Sequence, residues 1–118
     1  MIVLVYCKDK PDGLALRKAT RATHLEYMIA AKEKIIFGGP LLSGTGDSVG
    51  SVFALRVDTR AEVDAFLAAE PYCLAGLFEE VQVHAMRQMM PENPVGTMER
   101  ELALEYAARE PVGGRGEA

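Results

Sequence analysis

The chain has few of the residues that bind metals or form disulfide bonds. Its 118 residues include two cysteines, two histidines and no tryptophan. Cys7 and Cys73 are far apart, and neither belongs to a Cys-x-x-Cys motif or a Cys/His cluster. This scarcity argues against a metal site. The sequence leaves a Cys7–Cys73 disulfide open, but it favours two buried thiols in a reducing compartment.

The chain also lacks long apolar runs and an excess of positive charge. Its N-terminal apolar run, residues 2–7, is far shorter than the roughly 20 residues that span a bilayer. This run has neither the basic leader nor the cleavage site of a secretory signal. The net charge of −4 argues against non-specific binding to nucleic acid. We therefore expect a cytoplasmic protein without a membrane or nucleic-acid partner.

One glycine-rich segment, residues 44–50, invites comparison with phosphate-binding loops. It contains no Gly-Lys-Ser/Thr, and no helix is predicted directly after it. Both the nucleotide-binding loop and the dinucleotide-binding pattern are therefore excluded. We interpret the segment as a connection between strands and expect no cofactor.

The residues that are present predict one α+β domain. Their periodicity indicates strands at 1–7, 35–42, 49–57 and 79–86, with helices at 14–34 and from Asp58 or Thr59 to about residue 69. Pro71 ends the second helix, and residues 72–77 have room for one further turn. The order βαββαβ is the ferredoxin-like plan, with both helices on one face of an antiparallel four-stranded sheet.

The first strand is apolar at consecutive positions, so both of its faces should be buried. The helices cover only one face, and we therefore predict a homodimer that forms a dimeric α/β barrel. We place the domain at residues 1–92 and a C-terminal extension at 93–118. The extension is predicted to contain a helix from Met98 to about Arg109 and a disordered tail over Pro111–Gly116. The sequence leaves open whether that helix docks on the dimer or lies on the surface.

Three residues of the first helix suggest chemistry. Arg17, Arg21 and His24 are spaced by four and three residues, so they share one helix face. Two nearby guanidinium groups disfavour a protonated imidazole, which allows His24 to act as a base, and they attract a carboxylate, phenolate or phosphate. The other interpretation is a histidine packed at the rim of the sheet, with both arginines in solvent.

The segment Glu70-Pro71-Tyr72 closes the second helix and supplies a candidate acid. Pro71 fixes the chain there, so the Glu70 carboxylate has a defined direction. A carboxylate that orients an imidazole is a common arrangement in general-base catalysis. Glu70 as a solvated acid at a helix end, and Tyr72 as a packing residue with a wet hydroxyl, are the structural alternatives. The other histidine, His84, lies in the last predicted strand, and we interpret it as structural.

Several motifs, taken together and in order, resemble the YciI-like (YCII-related) protein family over about residues 1–90. The matching residues are Val5-Tyr6, Asp9-Lys10, Leu14, Arg17, Arg21-Ala22-Thr23-His24-Leu25, Gly38-Gly39-Pro40-Leu41, Glu70-Pro71-Tyr72 and Ala75-Gly76-Leu77-Phe78. The resemblance implies a dimeric α/β barrel of ferredoxin-like subunits and an active site built on a histidine and an acid, here His24 and Glu70. The family more often has Asp-Pro-Tyr, so Glu70 moves the charge by one methylene. One branch resembles enzymes that remove chloride from hydroxylated aromatic rings.

Three functions follow as hypotheses. The first is a cofactor-independent enzyme of lyase or hydrolase type that acts on a small anionic or phenolic metabolite. In this enzyme His24 and Glu70 form the catalytic pair, while Arg17, Arg21 and Tyr72 bind the substrate. The second is a protein that binds the same small molecule without changing it. The third is an assembly protein whose C-terminal helix recruits another polypeptide.

Overall fold

The structure is a computed structural model, and it describes residues 1–109. Strands β1 (Ile2–Asp9), β2 (Ile35–Leu42), β3 (Ser48–Arg56) and β4 (Phe78–Met86) form one antiparallel sheet in the order β2-β3-β1-β4. Helix α1 (Leu14–Ala30) joins β1 to β2, α2 (Arg60–Ala69) and α3 (Pro71–Leu74) join β3 to β4, and α4 (Thr97–Arg109) follows the sheet. The predicted ferredoxin-like α+β fold is confirmed.

The core lies between the helices and one face of the sheet. Alternate residues of a strand point to the same face, so Val3, Val5 and Cys7 of β1 are buried together. They pack with Phe53 and Leu55 of β3 and with the apolar side of α2. Because β1 and β3 are the central strands, this cluster fixes the position of the helices over the sheet.

The first helix is shorter than predicted. The sequence suggested a helix to Lys34, but α1 ends at Ala30 and Ala31 leaves the helical region with φ −103° and ψ 5°. One turn of 3₁₀-helix, Lys32–Lys34, then leads into β2. Good helix-forming residues continue to Lys34, but the chain has to turn back to the sheet before Ile35. The position of the strand therefore overrides the local helix propensity.

The second helix begins where the sequence indicated. Thr59 caps α2 by accepting a hydrogen bond from the Glu62 amide, and the Glu62 carboxylate accepts one from the Thr59 amide. At the other end, Pro71 both stops α2 and occupies the first position of α3. Glu70 thus lies between two helices as the last cap of α2 and the first cap of α3.

The other face of the sheet has no helix of the unit Met1–Met86 packed on it. Leu4 and Ala54 pair across β1 and β3 on this face, and Phe37 of β2 pairs with Ala54. Phe37 is 49% exposed, whereas Ala54 is covered by its neighbours. This face is apolar around the centre of the sheet.

A second compact unit begins at Arg87 and is described as far as Arg109. Within it, Arg87 bonds Glu101 at 3.2 Å and the Met98 amide donates to Glu92 at 2.8 Å. Helix α4 agrees closely with the predicted C-terminal helix and has no buried residue. The predicted tail over Pro111–Gly116 lies outside the described residues, and the domain boundary at residue 92 stays a prediction. None of the helices in residues 1–109 is both long and apolar enough to cross a bilayer.

Candidate active site

One face of α1 lines a cavity of about 450 Å³ between this helix and the β2–β3 side of the sheet. The spacing of three and four places the lining residues on one helix face. The opposite wall comes from Gly38–Pro40 of β2, Ser51–Phe53 of β3, the loop before β3 and Tyr72. The α1 residues that line the cavity are Leu14, Arg17, Lys18, Arg21, His24, Leu25 and Met28.

His24 and Glu70 meet at the wall of this cavity. The Nδ1 atom of His24 lies 2.5 Å from Oε1 of Glu70. The Glu70 side chain is only 2% exposed and the His24 side chain 17%, so the acid is enclosed while the imidazole retains access to the cavity. The structure therefore brings together the two residues that the sequence proposed as a pair, across 46 positions of the chain.

Local backbone structure fixes the direction of the Glu70 carboxylate. A residue before proline is pushed into an extended conformation, and Glu70 has φ −69° and ψ 126°. From there its Oε2 accepts a hydrogen bond from the Cys73 amide at 3.1 Å, which caps α3. This capping bond leaves Oε1 for His24.

The pairing defines the chemistry of His24. We assign a proton to Nδ1, because the Glu70 carboxylate beside it can accept a hydrogen bond, and this tautomer leaves the imidazole lone pair on Nε2. The imidazole also stacks on the Tyr72 ring, with centroids 4.0 Å apart and an interplanar angle of 18°. Glu70 holds the imidazole at Nδ1 and Tyr72 holds its face. The ring is therefore well placed to accept a proton at Nε2.

Tyr72 is buried beneath the imidazole. Burial raises the pKa of its hydroxyl, and the positive charges of Arg17 and Arg21 oppose this rise without reversing it. Its ring also makes an edge contact with Phe78 at 6.0 Å. The phenol is therefore protonated at neutral pH, and it can donate a hydrogen bond.

The environment of Arg17 differs from the one expected from the sequence. The sequence interpretation treated it as an unpaired cation, but its Nε and Nη2 atoms bond both oxygens of Asp9 at 2.8 and 2.9 Å. Nη2 also donates to Ser51 Oγ at 2.9 Å. Burial lowers the pKa of Arg17, but the hydrogen bonds and charge of Asp9 outweigh this and raise it. The charge of Arg17 is thus balanced locally.

Sequence reasoning missed Asp9 and Ser51 as parts of this site. Asp9 lies two residues after Cys7 in β1, so its carboxylate points to the same inner face as Val3, Val5 and Cys7. An inward carboxylate needs a cationic partner, because a lone buried charge is costly. An acid at an inward position of this strand is the sequence signal that could have identified the Asp9–Arg17 pair. Ser51 carries no comparable signal in the sequence.

Two other cations line the cavity without such balance. Arg21 and Lys18 are exposed, and neither forms an ion pair within residues 1–109. The sequence identified Arg21 and missed Lys18, although Lys18 lies on the same helix face. Asp47, in the loop between β2 and β3, is an acid at the same cavity. The remaining histidine, His84, is exposed on β4 and bonds Gln82.

Neither cysteine has the character of a nucleophile. Both are free thiols. Burial raises the pKa of Cys7 to about 12 and that of Cys73 to about 11. Across residues 1–109, no group of three or more histidine, cysteine or acidic side chains could hold a metal ion.

Comparison with known proteins gives this geometry a context. The family model described as the YCII-related domain matches residues 1–87. Protein YciI of Escherichia coli O6:H1 is 25% identical over 97 residues, which cover 75% of this chain and 99% of that protein. Protein YciI of Shigella flexneri matches to the same extent.

Two solved structures are also similar. The first is 5-chloro-2-hydroxyhydroquinone dehydrochlorinase from Burkholderia phenoliruptrix AC1100, in complex with 2,5-dihydroxybenzoquinone. It is 36% identical, covers 75% of this chain and 95% of its own, and has a TM-score of 0.72. The second comes from Bacteroides thetaiotaomicron and has been suggested to be an antibiotic biosynthesis monooxygenase. It is 10% identical with a TM-score of 0.51, so it shows the shared fold alone.

Proposed function

Because this chain belongs to the YCII-related domain family, we propose that it is a cofactor-independent enzyme that performs acid–base chemistry on a small anionic or phenolic ring. In this proposal His24 transfers protons and Glu70 orients it. Arg21, Arg17 and Tyr72 bind the substrate.

The contact between His24 and Glu70 carries the proposal. A buried carboxylate 2.5 Å from Nδ1 holds the imidazole in one orientation and stabilises the imidazolium formed when Nε2 takes a proton. A proton-transfer group positioned in this way contributes about a hundredfold to ten-thousandfold in rate. The cavity beside it, about 450 Å³, is of a size that suits a single substituted ring.

The proposed substrate class is supported by the related dehydrochlorinase, which was solved with 2,5-dihydroxybenzoquinone. Loss of HCl from a chlorinated hydroxyhydroquinone needs two proton movements. In the first step, one hydroxyl proton moves to the carbon that bears chlorine. In the second step, another hydroxyl group loses its proton while chloride departs with the bonding electron pair, and the product is a hydroxyquinone. A single acid–base group can take the proton from oxygen and return it to carbon, and we assign this role to His24.

Chloride release from 5-chloro-2-hydroxyhydroquinone tests the proposal. His24→Gln should lower kcat about a hundredfold or more, and Glu70→Gln at least about tenfold, because the first removes the base and the second its orienting charge. Glu26→Gln makes the same chemical change as Glu70→Gln at an exposed position of α1 and should leave kcat unchanged. Full activity in His24→Gln would disprove the role of this residue.

A second candidate is a protein that binds the small molecule without changing it. The observation in its favour is that Glu70 caps α3 through the Cys73 amide, which explains its burial without any catalysis. Incubation with 2,5-dihydroxybenzoquinone or its chlorinated relatives, followed by mass spectrometry, separates the two functions. A higher melting temperature with every ligand recovered unchanged favours binding alone.

We also propose that two copies associate through the apolar face of the sheet around Leu4 and Ala54, opposite the helices. An apolar face of this kind is uncommon on the free surface of a monomer. Sedimentation velocity should give the mass of a dimer for the unmodified chain. Leu4→Glu should shift it towards the monomer, whereas Leu104→Glu on the exposed surface of α4 should not.

A further inference from the structure

A buried ion pair holds Arg17 in the cavity wall, with Asp9 behind it. The Arg17 guanidinium and the Asp9 carboxylate face each other through two hydrogen bonds of 2.8 and 2.9 Å, and both side chains are less than a tenth exposed. Two parallel bonds of this kind fix the plane of the guanidinium as well as its position. The bond from Nη2 to Ser51 adds a third constraint.

The placement of this pair is not what stability alone would favour. Apolar residues of similar volume often serve a fold as well as a buried ion pair, or better, because both charges have to be removed from water. Here the pair lies at the end of an otherwise apolar row on β1, next to the cavity rather than within the core. This position suggests a use for the oriented guanidinium in the cavity.

The third nitrogen of Arg17, Nη1, bonds neither Asp9 nor Ser51, and the Arg17 guanidinium also shares a side-chain hydrogen bond with Tyr72. Nε and Nη2 are engaged by Asp9 and Ser51, while the two N–H groups of Nη1 take part in none of these three bonds. The guanidinium carbon lies 4.7 Å from the centre of the Tyr72 ring, and that ring stacks on His24. Arg17, Tyr72 and His24 therefore form a continuous set of contacts along one side of the cavity.

The cations of the site also differ in their charge balance. Arg17 is neutralised by Asp9, so it offers directed N–H groups with little net attraction for a ligand that is already charged. Lys18 and Arg21 line the same cavity without a paired acid among residues 1–109. Oriented N–H groups stabilise negative charge that develops during a reaction. Unpaired cations instead attract negative charge that the ligand already carries when it binds.

We infer that Asp9 is a positioning residue, which holds Arg17 so that Nη1 and the Tyr72 hydroxyl bind the ring oxygen on which negative charge develops. Lys18 and Arg21 instead hold the anionic oxygen that the substrate carries before it reacts. This inference rests on the proposed function and deepens it. The substrate is then a ring with an ionised oxygen at one end and a reacting hydroxyl at the other.

Steady-state kinetics on 5-chloro-2-hydroxyhydroquinone separate these roles. Asp9→Asn should lower kcat about tenfold to a hundredfold and change KM less than about threefold. Lys18→Gln and Arg21→Gln should raise KM about tenfold with kcat nearly unchanged. The control is Asp64→Asn, which removes the acid of the exposed Arg60–Asp64 pair and should match the unmodified protein.

A double variant distinguishes positioning from a purely structural role. Asp9→Leu combined with Arg17→Met replaces the ion pair by apolar side chains, so it should fold even where Asp9→Asn does not. We expect a normal melting temperature and a kcat at least about a hundredfold lower. Normal turnover in this folded variant would overturn the inference, because the pair would then serve only the fold.

An NMR signal tests the position of Arg17 without any turnover. The Arg17 Nε–H resonance should be sharp and protected in the unmodified chain, and it should broaden in Asp9→Asn but persist in Asp64→Asn. Activity lost in His24→Gln and kept in Asp9→Asn would reject the inference alone. Activity kept in His24→Gln, or absent from the unmodified protein, would reject the proposed function and this inference with it.

Discussion

The contact between His24 and Glu70 can be tested through stability, without knowledge of the substrate. We expect the two side chains to be energetically coupled, since they share a 2.5 Å hydrogen bond that is largely removed from solvent. The perturbation is a cycle of three variants: His24→Ala, Glu70→Ala and the double variant. Non-contacting sites more than about 7–10 Å apart would instead give additive effects.

The magnitude follows from what each change leaves behind. His24→Ala leaves Oε1 of Glu70 without its partner, which costs about 1–3 kcal/mol. It also removes the stacking contact with Tyr72, which is worth about 0.5–1.5 kcal/mol. The variant should therefore lose roughly 2–4 kcal/mol of unfolding free energy and roughly 10–25 °C in melting temperature. Glu70→Ala should cost more, because it also removes the cap of α3.

Urea denaturation of all four proteins measures the coupling. The double variant should be less destabilised than the sum of the single variants, by about 1–3 kcal/mol. Glu26→Ala, at an exposed position of α1, should stay within about 0.5 kcal/mol of the unmodified chain. Effects of the single changes that add within about 0.5 kcal/mol would refute the reasoning, because they would show that the two groups do not interact in solution.

Three further predictions concern the scaffold. Gly50→Ala should destabilise the protein by about 1–3 kcal/mol in urea denaturation, because the added Cβ would lie 2.5 Å from the Cys7 carbonyl oxygen. Gly39→Ala is the control and should be nearly neutral, because its Cβ would meet no atom within 4 Å. Thr59→Ala removes the cap of α2 and should cost about 1 kcal/mol in the same assay; a loss under about 0.3 kcal/mol would contradict the role of the cap. At pH 8, Cys73 should react with iodoacetamide about a hundredfold more slowly than a free thiol, because its pKa is raised from 9.0 to about 11, and mass spectrometry of the folded protein would expose any faster labelling.

Local patterns were sufficient to predict most of the fold. The apolar run of β1, the stop at Pro71 and the cap at Thr59 each depend on a few neighbouring residues, and each appears in the structure. The end of α1 could not be read in this way. Residues up to Lys34 favour a helix, and only the position of β2 in the sheet ends it at Ala30.

The site was partly accessible from the sequence for the same reason. Helix spacing places Arg17, Arg21 and His24 on one face, and all three line the cavity. The pairing of Arg17 with Asp9 joins a helix to a strand, so no local pattern shows it, and the sequence argument counted a balanced charge as a free one. Their catalytic and binding roles stay predictions until the variants above are measured.

The two edges of the sheet suggest how the protein behaves at high concentration. Strand β2 contains Pro40, which has no N–H group to offer an incoming strand, and β4 carries the exposed acids Glu79 and Glu80. The proline of β2 and the acids of β4 both hinder the addition of a strand from another molecule, but only the effect of the acids depends on charge. Aggregation through strand edges should therefore be slow at low salt, and at high salt, which screens charge, it should begin at β4 rather than at β2.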